Sequence, residues 1–230
     1  MTISRNIKNK LYDKGASLVG FADLRSLPAN VRENFDFGIA ILLAYTKEAM
    51  SDNLSGDMSR YHREWAGVNM KLAELGAFAA GLLTSAGYKA WGKTQPTVLQ
   101  DQNMNTVLPH KTVGTLSGIG WIGKNAALVT REFGGAFRMV TVLTNAPLEC
   151  GVPETESLCD PDCRICASVC PGQAVLGGQW RVGTPRGEFF DAFACKPAAR
   201  ARAKQLLDMD ETLCALCISH CPWTRKALGY

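Results

Sequence analysis

The cysteines of this chain are confined to its last third. Residues 1–149 of the 230 contain none, and all nine cysteines lie between Cys150 and Cys221. A change of composition this abrupt indicates two parts with different structural requirements. We therefore predict a first domain over residues 1–149 and a second, cysteine-rich domain over residues 150–230.

Seven of the nine cysteines form two motifs that end in Cys-Pro. The first reads C-x3-C-x2-C-x3-C-P and comprises Cys159, Cys163, Cys166 and Cys170, with Pro171. The second reads C-x2-C-x3-C-P and comprises Cys214, Cys217 and Cys221, with Pro222. Cys195 lies upstream of the second motif and completes a set of eight. Two such motifs are typical of ferredoxin-like modules with two 4Fe-4S clusters.

The assignment of cysteines to clusters follows from how these motifs work. In two-cluster ferredoxins, the last cysteine of each motif binds the other cluster. We therefore assign four ligands to the first cluster: Cys159, Cys163, Cys166 and Cys221. The second cluster is assigned the remaining four: Cys170, Cys195, Cys214 and Cys217. Cys150 is left over, and we interpret it as a packed thiol that behaves as a small apolar side chain.

Two other uses of these cysteines are less favoured. Two C-x2-C pairs can hold structural zinc, but zinc ribbons do not require the C-x3-C-P extension that occurs twice here. Disulfides are disfavoured by the odd number of cysteines, their tight spacing and the polar segment Met1–Lys10, which is not a secretory signal. We therefore expect a cytoplasmic protein with reduced thiols.

Composition excludes few further classes. A hydrophobic content of 47% and a charged content of 20% are those of a globular protein rather than a disordered one. The net charge of +4 is too small to require a nucleic-acid partner. No apolar stretch approaches the roughly 20 residues of a membrane span, so we expect no membrane contact.

Hydrophobic periodicity predicts an α+β fold. Helical spacing occurs at Ile3, Ile7 and Leu11, over residues 59–86 and over residues 110–116. Apolar runs predict strands over residues 16–22, 37–45 and 88–91. Residues 126–130 and 137–144 flank a Gly-Gly turn and predict a β-hairpin. Beyond Pro147 we expect short helices and loops held by metal ligands more than by a core.

A glycine-rich loop precedes the predicted hairpin. Residues 118–123 satisfy the dinucleotide pattern G-x-G-x-x-G, but they follow a helix and precede a strand, which reverses the order that the pattern needs. We interpret the segment as a loop that lets backbone approach a large flat ligand. Trp121 and Ile122 would supply apolar contacts, and Lys124 and Asn125 polar ones. The alternative is a tight turn around a buried tryptophan.

Three segments resemble the epoxyqueuosine reductase family and, more distantly, the reductive dehalogenases. They are Tyr61-His62-Arg63, the loop from Gly118 to Asn125, and the double cluster motif ending in Cys221-Pro222-Trp223. The resemblance covers approximately residues 55–225. It implies a nitroreductase-like α/β sandwich domain that binds cobalamin, followed by a small two-cluster ferredoxin-like module that delivers electrons to cobalt.

The resemblance also implies a set of site residues. The expected corrinoid contacts are Tyr61, His62, His110, Gly118, Gly120, Trp121, Ile122, Gly123, Lys124 and Asn125. The family's proton donor lies in an Asp-x-Gly-Pro stretch, which this chain lacks; Asp101 could be displaced into that role. His110 is our candidate catalytic residue, because histidine serves as a general acid or a metal ligand. The alternative is a helix-start residue with local hydrogen bonds.

These features predict a cobalamin-dependent iron–sulfur reductase. It would take electrons from an external low-potential donor and act on a small-molecule or unknown substrate, with transfer RNA not expected. One alternative places FMN instead of the corrinoid in the first domain. Another is an electron-transfer protein that reduces a separate corrinoid or flavin protein and has no substrate of its own.

Overall fold

The computed structural model describes residues 2–93 and 99–230. Its first range contains α1 (Ile3–Asp13), β1 (Leu18–Asp23), β2 (Phe37–Ala44), α2 (Lys47–Ser55), α3 (Ser59–Ser85) and β3 (Ala90–Lys93). Its second range contains α4 (His110–Leu116), β4 (Trp121–Ile122), β5 (Leu128–Val129), β6 (Phe137–Thr144), α5 (Ile165–Ser168), a 3-10 turn (Arg186–Glu188), α6 (Ala192–Leu207), α7 (Leu216–Ser219) and α8 (Pro222–Leu228). Among these elements, no helix combines the length and apolarity needed to cross a bilayer.

The chain divides into two compact units. The first comprises Met1–Ala44, Gly67–Gly120 and Phe137–Glu154, and the second comprises Tyr45–Ala66, Trp121–Ala136 and Thr155–Tyr230. The last division, after residue 154, lies close to the predicted boundary at residue 149. However, the cysteine-rich unit also takes residues 45–66 and 121–136, which the sequence placed in the first domain.

The first unit is built on a four-stranded antiparallel sheet with the order β1-β2-β6-β3. Side chains alternate between the two faces of a strand. On one face, Ile39 and Ile41 of β2 and Val142 of β6 therefore join one apolar core, together with residues of α1 and α3. Leu11 of α1 and Leu83 of α3 are fully buried in this core, which explains the helical spacing of their apolar residues.

The opposite face of the sheet is covered by α4 and the residues that follow it. Glycines in the strands make this close approach possible. A Cβ added to Gly38 would lie 2.9 Å from Cγ1 of Val113, and one added to Gly20 would lie 2.5 Å from Cγ2 of Ile119. Since real Cβ atoms do not approach neighbours this closely, larger residues at these positions would push α4 off the sheet.

The second unit contains the two-stranded ribbon β4-β5, the helix α2 and the short helices around the cysteines. A buried polar network connects α2, α6 and α7. Asn53 donates from Nδ2 to Oγ of Ser219 at 3.2 Å and accepts at Oδ1 from Nη2 of Arg202 at 3.1 Å. Tyr230 adds a hydrogen bond from its hydroxyl to the Ser219 carbonyl at 2.7 Å. Buried polar groups require such partners, so this network fixes how the short helices are arranged.

The predicted α+β class is confirmed, and so are most of the predicted elements. The hairpin of residues 126–130 with 137–144 is wrong: β5 pairs with β4, whereas β6 pairs with β2 and β3. The expectation of only short helices beyond Pro147 is also wrong, because α6 has 16 residues. Pro197 lies inside α6 and removes only the hydrogen bond to the Phe193 carbonyl, near the start of the helix, where Phe193 is exposed.

Candidate metal centres

The first predicted set of cysteines lines a single cavity. Its volume is about 520 Å³. The lining includes all four members of the set, Cys159, Cys163, Cys166 and Cys221. Each cysteine that holds a 4Fe-4S cube binds a different iron, so cluster ligands surround a volume. The donor type and the cavity therefore fit a cluster.

The thiols of this set act on one another electrostatically. The pKa of Cys166 is raised to about 11, first by burial and then by the charges of its neighbours Cys221, Cys159 and Cys163. Burial, and to a smaller degree Cys159, also raises the pKa of Cys221. Four neighbouring thiolates repel one another, so the four cysteines ionise together readily only when a positively charged core lies between them. An iron–sulfur core supplies that charge.

The second set shows the same pattern. The pKa of Cys195 is raised to about 11 by burial and then by the charges of Cys170 and Cys214. Burial also raises the pKa of Cys217, with Cys214 and Cys195 as the next causes. These interactions group the four remaining cysteines of the motifs, Cys170, Cys195, Cys214 and Cys217.

The two sets exchange the last cysteine of each motif. Cys170 belongs to the first motif in sequence but interacts with Cys195 and Cys214, while Cys221 of the second motif interacts with Cys159 and Cys166. Cys166 also acts on Cys217, so the sets are adjacent. This is the crossing predicted from the ferredoxin motifs. The ligand assignment itself stays a prediction. Among the described residues, no group of three or more His, Cys, Asp or Glu side chains is placed so that it could hold a metal ion.

Local structure presents Cys221 at a helix N-terminus. Cys221 is the N-cap of α8, and Pro222 occupies the first helical position, where its missing N–H and fixed φ are tolerated. The backbone N–H groups of Trp223 and Thr224 lower the pKa of Cys221 and partly offset the effect of burial. The proline of the motif thus starts a helix whose free N–H groups favour the thiolate.

Lys124 of the glycine-rich loop lies beside the first set rather than facing a ligand. Its ammonium group donates to three carbonyl oxygens, those of Asp160 at 2.9 Å, Pro161 at 2.7 Å and Cys163 at 3.0 Å. The residue is 2% exposed and belongs to the lining of the cysteine cavity. Its three hydrogen bonds are made within the chain, and the predicted polar contact of Lys124 with a corrinoid stays a prediction.

Trp121 is also turned inward. It is 0% exposed, and its ring meets that of Trp223 edge to face with centroids 4.8 Å apart. This burial agrees with the alternative of a turn around a buried tryptophan, and the predicted contact of Trp121 with a macrocycle stays a prediction. Asn125 donates from Nδ2 to the Cys217 carbonyl at 3.4 Å and accepts from the Ala127 N–H at 3.2 Å.

The remaining predicted corrinoid contacts in the second unit are mostly buried. Tyr61 meets Tyr45 edge to face at 5.0 Å, and His62 stacks on Trp65 at 6.3 Å. Ile122 is buried in the ribbon. A Cβ on Gly123 would meet Cγ2 of Val129 at 2.9 Å and Sγ of Cys159 at 3.6 Å. Gly123 therefore allows the loop to approach the first cysteine set.

In the first unit, glycine in the glycine-rich loop allows two backbone segments to pack closely against each other. Gly118 has φ +74°, and a Cβ there would lie 2.2 Å from the Val152 carbonyl oxygen. A Cβ on Gly151 would lie 2.2 Å from the carbonyl oxygen of Ser117. Gly120 is buried. At Gly118, the glycine thus makes room for the chain itself, and its predicted contact with a corrinoid stays a prediction.

His110 begins α4 and lies in a polar environment on the sheet. Its Nδ1 is 2.9 Å from Oγ1 of the buried Thr141. Burial, together with the charges of Lys93 and Arg138, lowers the pKa of His110 from 6.5 to about 4. Lys93 is itself buried and pairs with Glu33. The imidazole is therefore neutral at pH 7. No pattern in the sequence indicates that Thr141 and Lys93 lie near it.

Two further residues have structural uses. Asp101 accepts at Oδ1 from the backbone N–H groups of Asn103 and Asn105, both at 2.8 Å, so its carboxylate stabilises a turn. Cys150 packs against the apolar core of the first unit and donates weakly to the Leu148 carbonyl at 3.4 Å. Burial raises the pKa of Cys150 to about 11, which agrees with its interpretation as a packed thiol.

Comparison with known proteins identifies relatives of two kinds. No family model matches the sequence. An epoxyqueuosine reductase of Cellulophaga algicola is 22% identical over 222 residues, which are 95% of this chain and 68% of the relative. One of Pseudomonas aeruginosa is 28% identical over 118 residues, and one of Atelocyanobacterium thalassa is 40% identical over 69 residues, or 22% of that relative.

Solved structures show the same fold. A catabolic reductive dehalogenase in complex with 3-bromo-4-hydroxybenzoic acid superposes with a TM-score of 0.69 at 21% identity, covering 97% of this chain and 32% of that one. An epoxyqueuosine reductase with a modified transfer-RNA stem loop gives 0.61 at 19% identity, covering 96% and 65%. The chain thus spans about a third of the first relative and about two thirds of the second.

The fold is therefore the one that epoxyqueuosine reductases and reductive dehalogenases share. Within that class, the sequence matches described above are to epoxyqueuosine reductases. The predicted resemblance to this family is confirmed.

Proposed function

We propose that the chain is an iron–sulfur reductase of the corrinoid-dependent type. Two 4Fe-4S clusters would accept electrons from an external low-potential donor and pass them on one at a time. A bound cobalamin would supply a strong nucleophile or electron donor at cobalt, which is chemistry that side chains cannot provide. The substrate would be a small molecule, which is still to be identified.

The arrangement of the eight thiols carries this proposal. Their mutual electrostatic effects support two neighbouring sets that exchange the last cysteine of each motif, and the cysteines of the first set line a cavity of about 520 Å³. Adjacent clusters allow electron transfer between them. The relatives support the second half of the proposal, because one solved dehalogenase is described as acting by B12-dependent dehalogenation. The relatives thus support the corrinoid, whereas the residues of this chain support the clusters.

Within this proposal, His110 of the first unit is the residue that interacts with the substrate. Its imidazole is neutral at pH 7, since its pKa is lowered to about 4, so it would act as a hydrogen-bond donor or acceptor. The cations Lys93 and Arg138 that lower this pKa also favour an anionic group nearby. An anionic substrate would raise the pKa of His110 on binding, so that a larger fraction of the histidine would carry a proton to donate at pH 7.

A transfer-RNA substrate stays outside the proposal. The family's acid in Asp-x-Gly-Pro has no counterpart, and the carboxylate of Asp101 already accepts two backbone hydrogen bonds in its own turn.

Anaerobic purification and reconstitution test the proposal. We expect iron and sulfide near eight each per chain, from the ligand count. Added cobalamin should remain with the protein through gel filtration, and electron paramagnetic resonance should show its cobalt reduced once the clusters are reduced. A colourless protein that binds zinc, or one that binds clusters but no corrinoid, would contradict it.

One observation favours an electron-transfer protein as a second candidate. Trp121 and Lys124, two of the predicted corrinoid contacts, are buried within the second unit, which supports a chain that binds no corrinoid. In this alternative, the clusters reduce a separate corrinoid or flavin protein and the chain has no substrate. Bound FMN would be a further alternative, which yellow fluorescence after denaturation would reveal. Clusters without any bound corrinoid or flavin would favour the electron-transfer protein.

A further inference from the structure

Lys124 is a buried cation next to the first cysteine set. It is 2% exposed, and its ammonium group donates to three uncharged carbonyl oxygens of the loop Asp160–Cys163. An ammonium group has three N–H donors, whereas a neutral amine has two. Three acceptors within 3.0 Å match the three donors of the ammonium group, and these uncharged partners do not neutralise its charge.

We propose that Lys124 sets the reduction potential of the cluster held by Cys159, Cys163, Cys166 and Cys221. The inference rests on the clusters of the proposed function. Reduction adds a negative charge to a group that is already anionic, so a nearby cation stabilises the reduced form. The position of Lys124 in the lining of the cysteine cavity places its charge close to the cluster. Since the cation is buried, water and salt screen it weakly.

The loop that carries Lys124 contacts the two sets through consecutive residues. Lys124 donates to the loop of the first motif, while Asn125 donates to the Cys217 carbonyl of the second set. The amide of Asn125 also lowers the pKa of Cys217, although burial raises it more. A full charge thus acts at the first cluster and an uncharged amide at the second. Removing the charge should therefore affect the two clusters unequally.

Arg164 provides a matched control, because it is also a cation and donates to two of the three carbonyl oxygens that accept from Lys124. Its Nη1 donates to Pro161 at 2.7 Å and to Cys163 at 3.3 Å. Unlike Lys124, Arg164 is exposed, so its charge is screened by water and salt. The two cations therefore share two acceptors, the carbonyl oxygens of Pro161 and Cys163, and differ in burial.

The test is a potentiometric titration followed by electron paramagnetic resonance on anaerobically reconstituted protein. In Lys124→Met, the ratio of reduced to oxidised first cluster at a fixed solution potential should fall at least about tenfold, which is about 59 mV for a one-electron couple. A unit charge about 6 to 12 Å away changes an equilibrium by about 100- to 10-fold at an effective dielectric constant of about 20. The second cluster should change much less, and Lys124→Arg should retain the wild-type potential.

The sign of the shift in reduction potential distinguishes loss of the Lys124 charge from loosening of the loop Asp160–Cys163. Loosening would admit water, which stabilises the more negative, reduced cluster and raises the potential, whereas loss of the cation lowers it. Arg164→Gln should give a small shift that disappears at high salt. If Lys124→Met loses its first cluster, Lys124→Gln replaces it, because the amide can still donate to a carbonyl.

Three results would overturn the proposal. The first is an unchanged potential of the first cluster in Lys124→Met and Lys124→Gln. The second is an equal shift in Lys124→Met and Arg164→Gln. The third is failure of both Lys124→Met and Lys124→Gln to hold the first cluster, which would make Lys124 a purely structural residue. Wild-type protein without two clusters would instead contradict the proposed function, so the two failures are distinguishable.

Discussion

His110 shows how one side chain acquires its properties from residues that are distant in sequence. Its hydrogen-bond partner Thr141 lies 31 residues away, and the cations Lys93 and Arg138 lie on two different strands, β3 and β6. The sequence placed His110 correctly at the start of a helix. Its neutral state at pH 7 depends on the sheet that brings these residues together.

The shifted pKa of His110 predicts a pH-dependent stability. The unfolded chain binds a proton at His110 below pH 6.5, whereas the folded chain does so only near pH 4. The free energy of unfolding therefore decreases as the pH falls from 6.5 to about 4, by up to about 3 kcal/mol, because the unfolded chain takes up the proton first. Carbon-13 NMR of labelled histidines should show one of the three titrating near pH 4.

The matched variants are His110→Gln and His62→Gln. The first should remove the titration near pH 4 together with this part of the pH dependence, measured by urea unfolding at pH 7 and pH 4.5. The second removes a histidine that stacks on Trp65. It should leave the titration near pH 4 and the pH-dependent loss of stability unchanged. Retention of the signal in His110→Gln would show that another group carries it.

At the scale of elements, the connection between β5 and β6 depends on close backbone contact with α8. Gly134 has φ +56°, and a Cβ there would lie 2.4 Å from both N and Cα of Thr224. The next residue, Gly135, donates its N–H to Oγ1 of Thr224 at 3.0 Å. Glycine is therefore needed both for the backbone conformation and for the space that α8 occupies.

The variants Gly134→Ala and Gly183→Ala separate these two requirements. Gly183 also has positive φ, at +90°, but nothing lies within 4 Å of an added Cβ. Gly183→Ala should cost only the backbone penalty of about 1 kcal/mol. Gly134→Ala should cost at least about 2 kcal/mol more, because backbone atoms of α8 must move, and it should lower the retained iron. Thermal unfolding and iron analysis measure both effects; equal losses would show that packing against Thr224 is unimportant.

The strands show which element-level predictions succeed. Apolar runs located β1 and β2, and helical spacing located α3 and α4, because local side-chain patterns reflect which face is buried. The hairpin failed for a different reason. A Gly-Gly turn between two β-rich runs does not specify partners, and β6 gains eight residue pairs with β2 along its full length, whereas β5 is only two residues long.

At the scale of the whole molecule, the crossing of the motifs makes a prediction about variants. Cys170 and Cys214 belong to different motifs but to the same predicted cluster. Each single substitution by serine should disturb the same one of the two clusters, and Cys170→Ser/Cys214→Ser should disturb only that cluster and retain about four irons per chain. If Cys170 bound the first cluster instead, the double variant would lose both. Iron analysis and electron paramagnetic resonance distinguish these results, and Cys150→Ser should retain both clusters.

The sequence by itself determined the cysteine motifs, the α+β class and most helices and strands. These depend on spacing over a few residues, which the printed order of residues contains. Only the tertiary structure decided the surroundings of Lys124, the inward position of Trp121, the environment of His110 and the pairing of β6. Each of these results from groups far apart in the chain that meet on folding, and burial and electrostatic interactions arise only from that meeting.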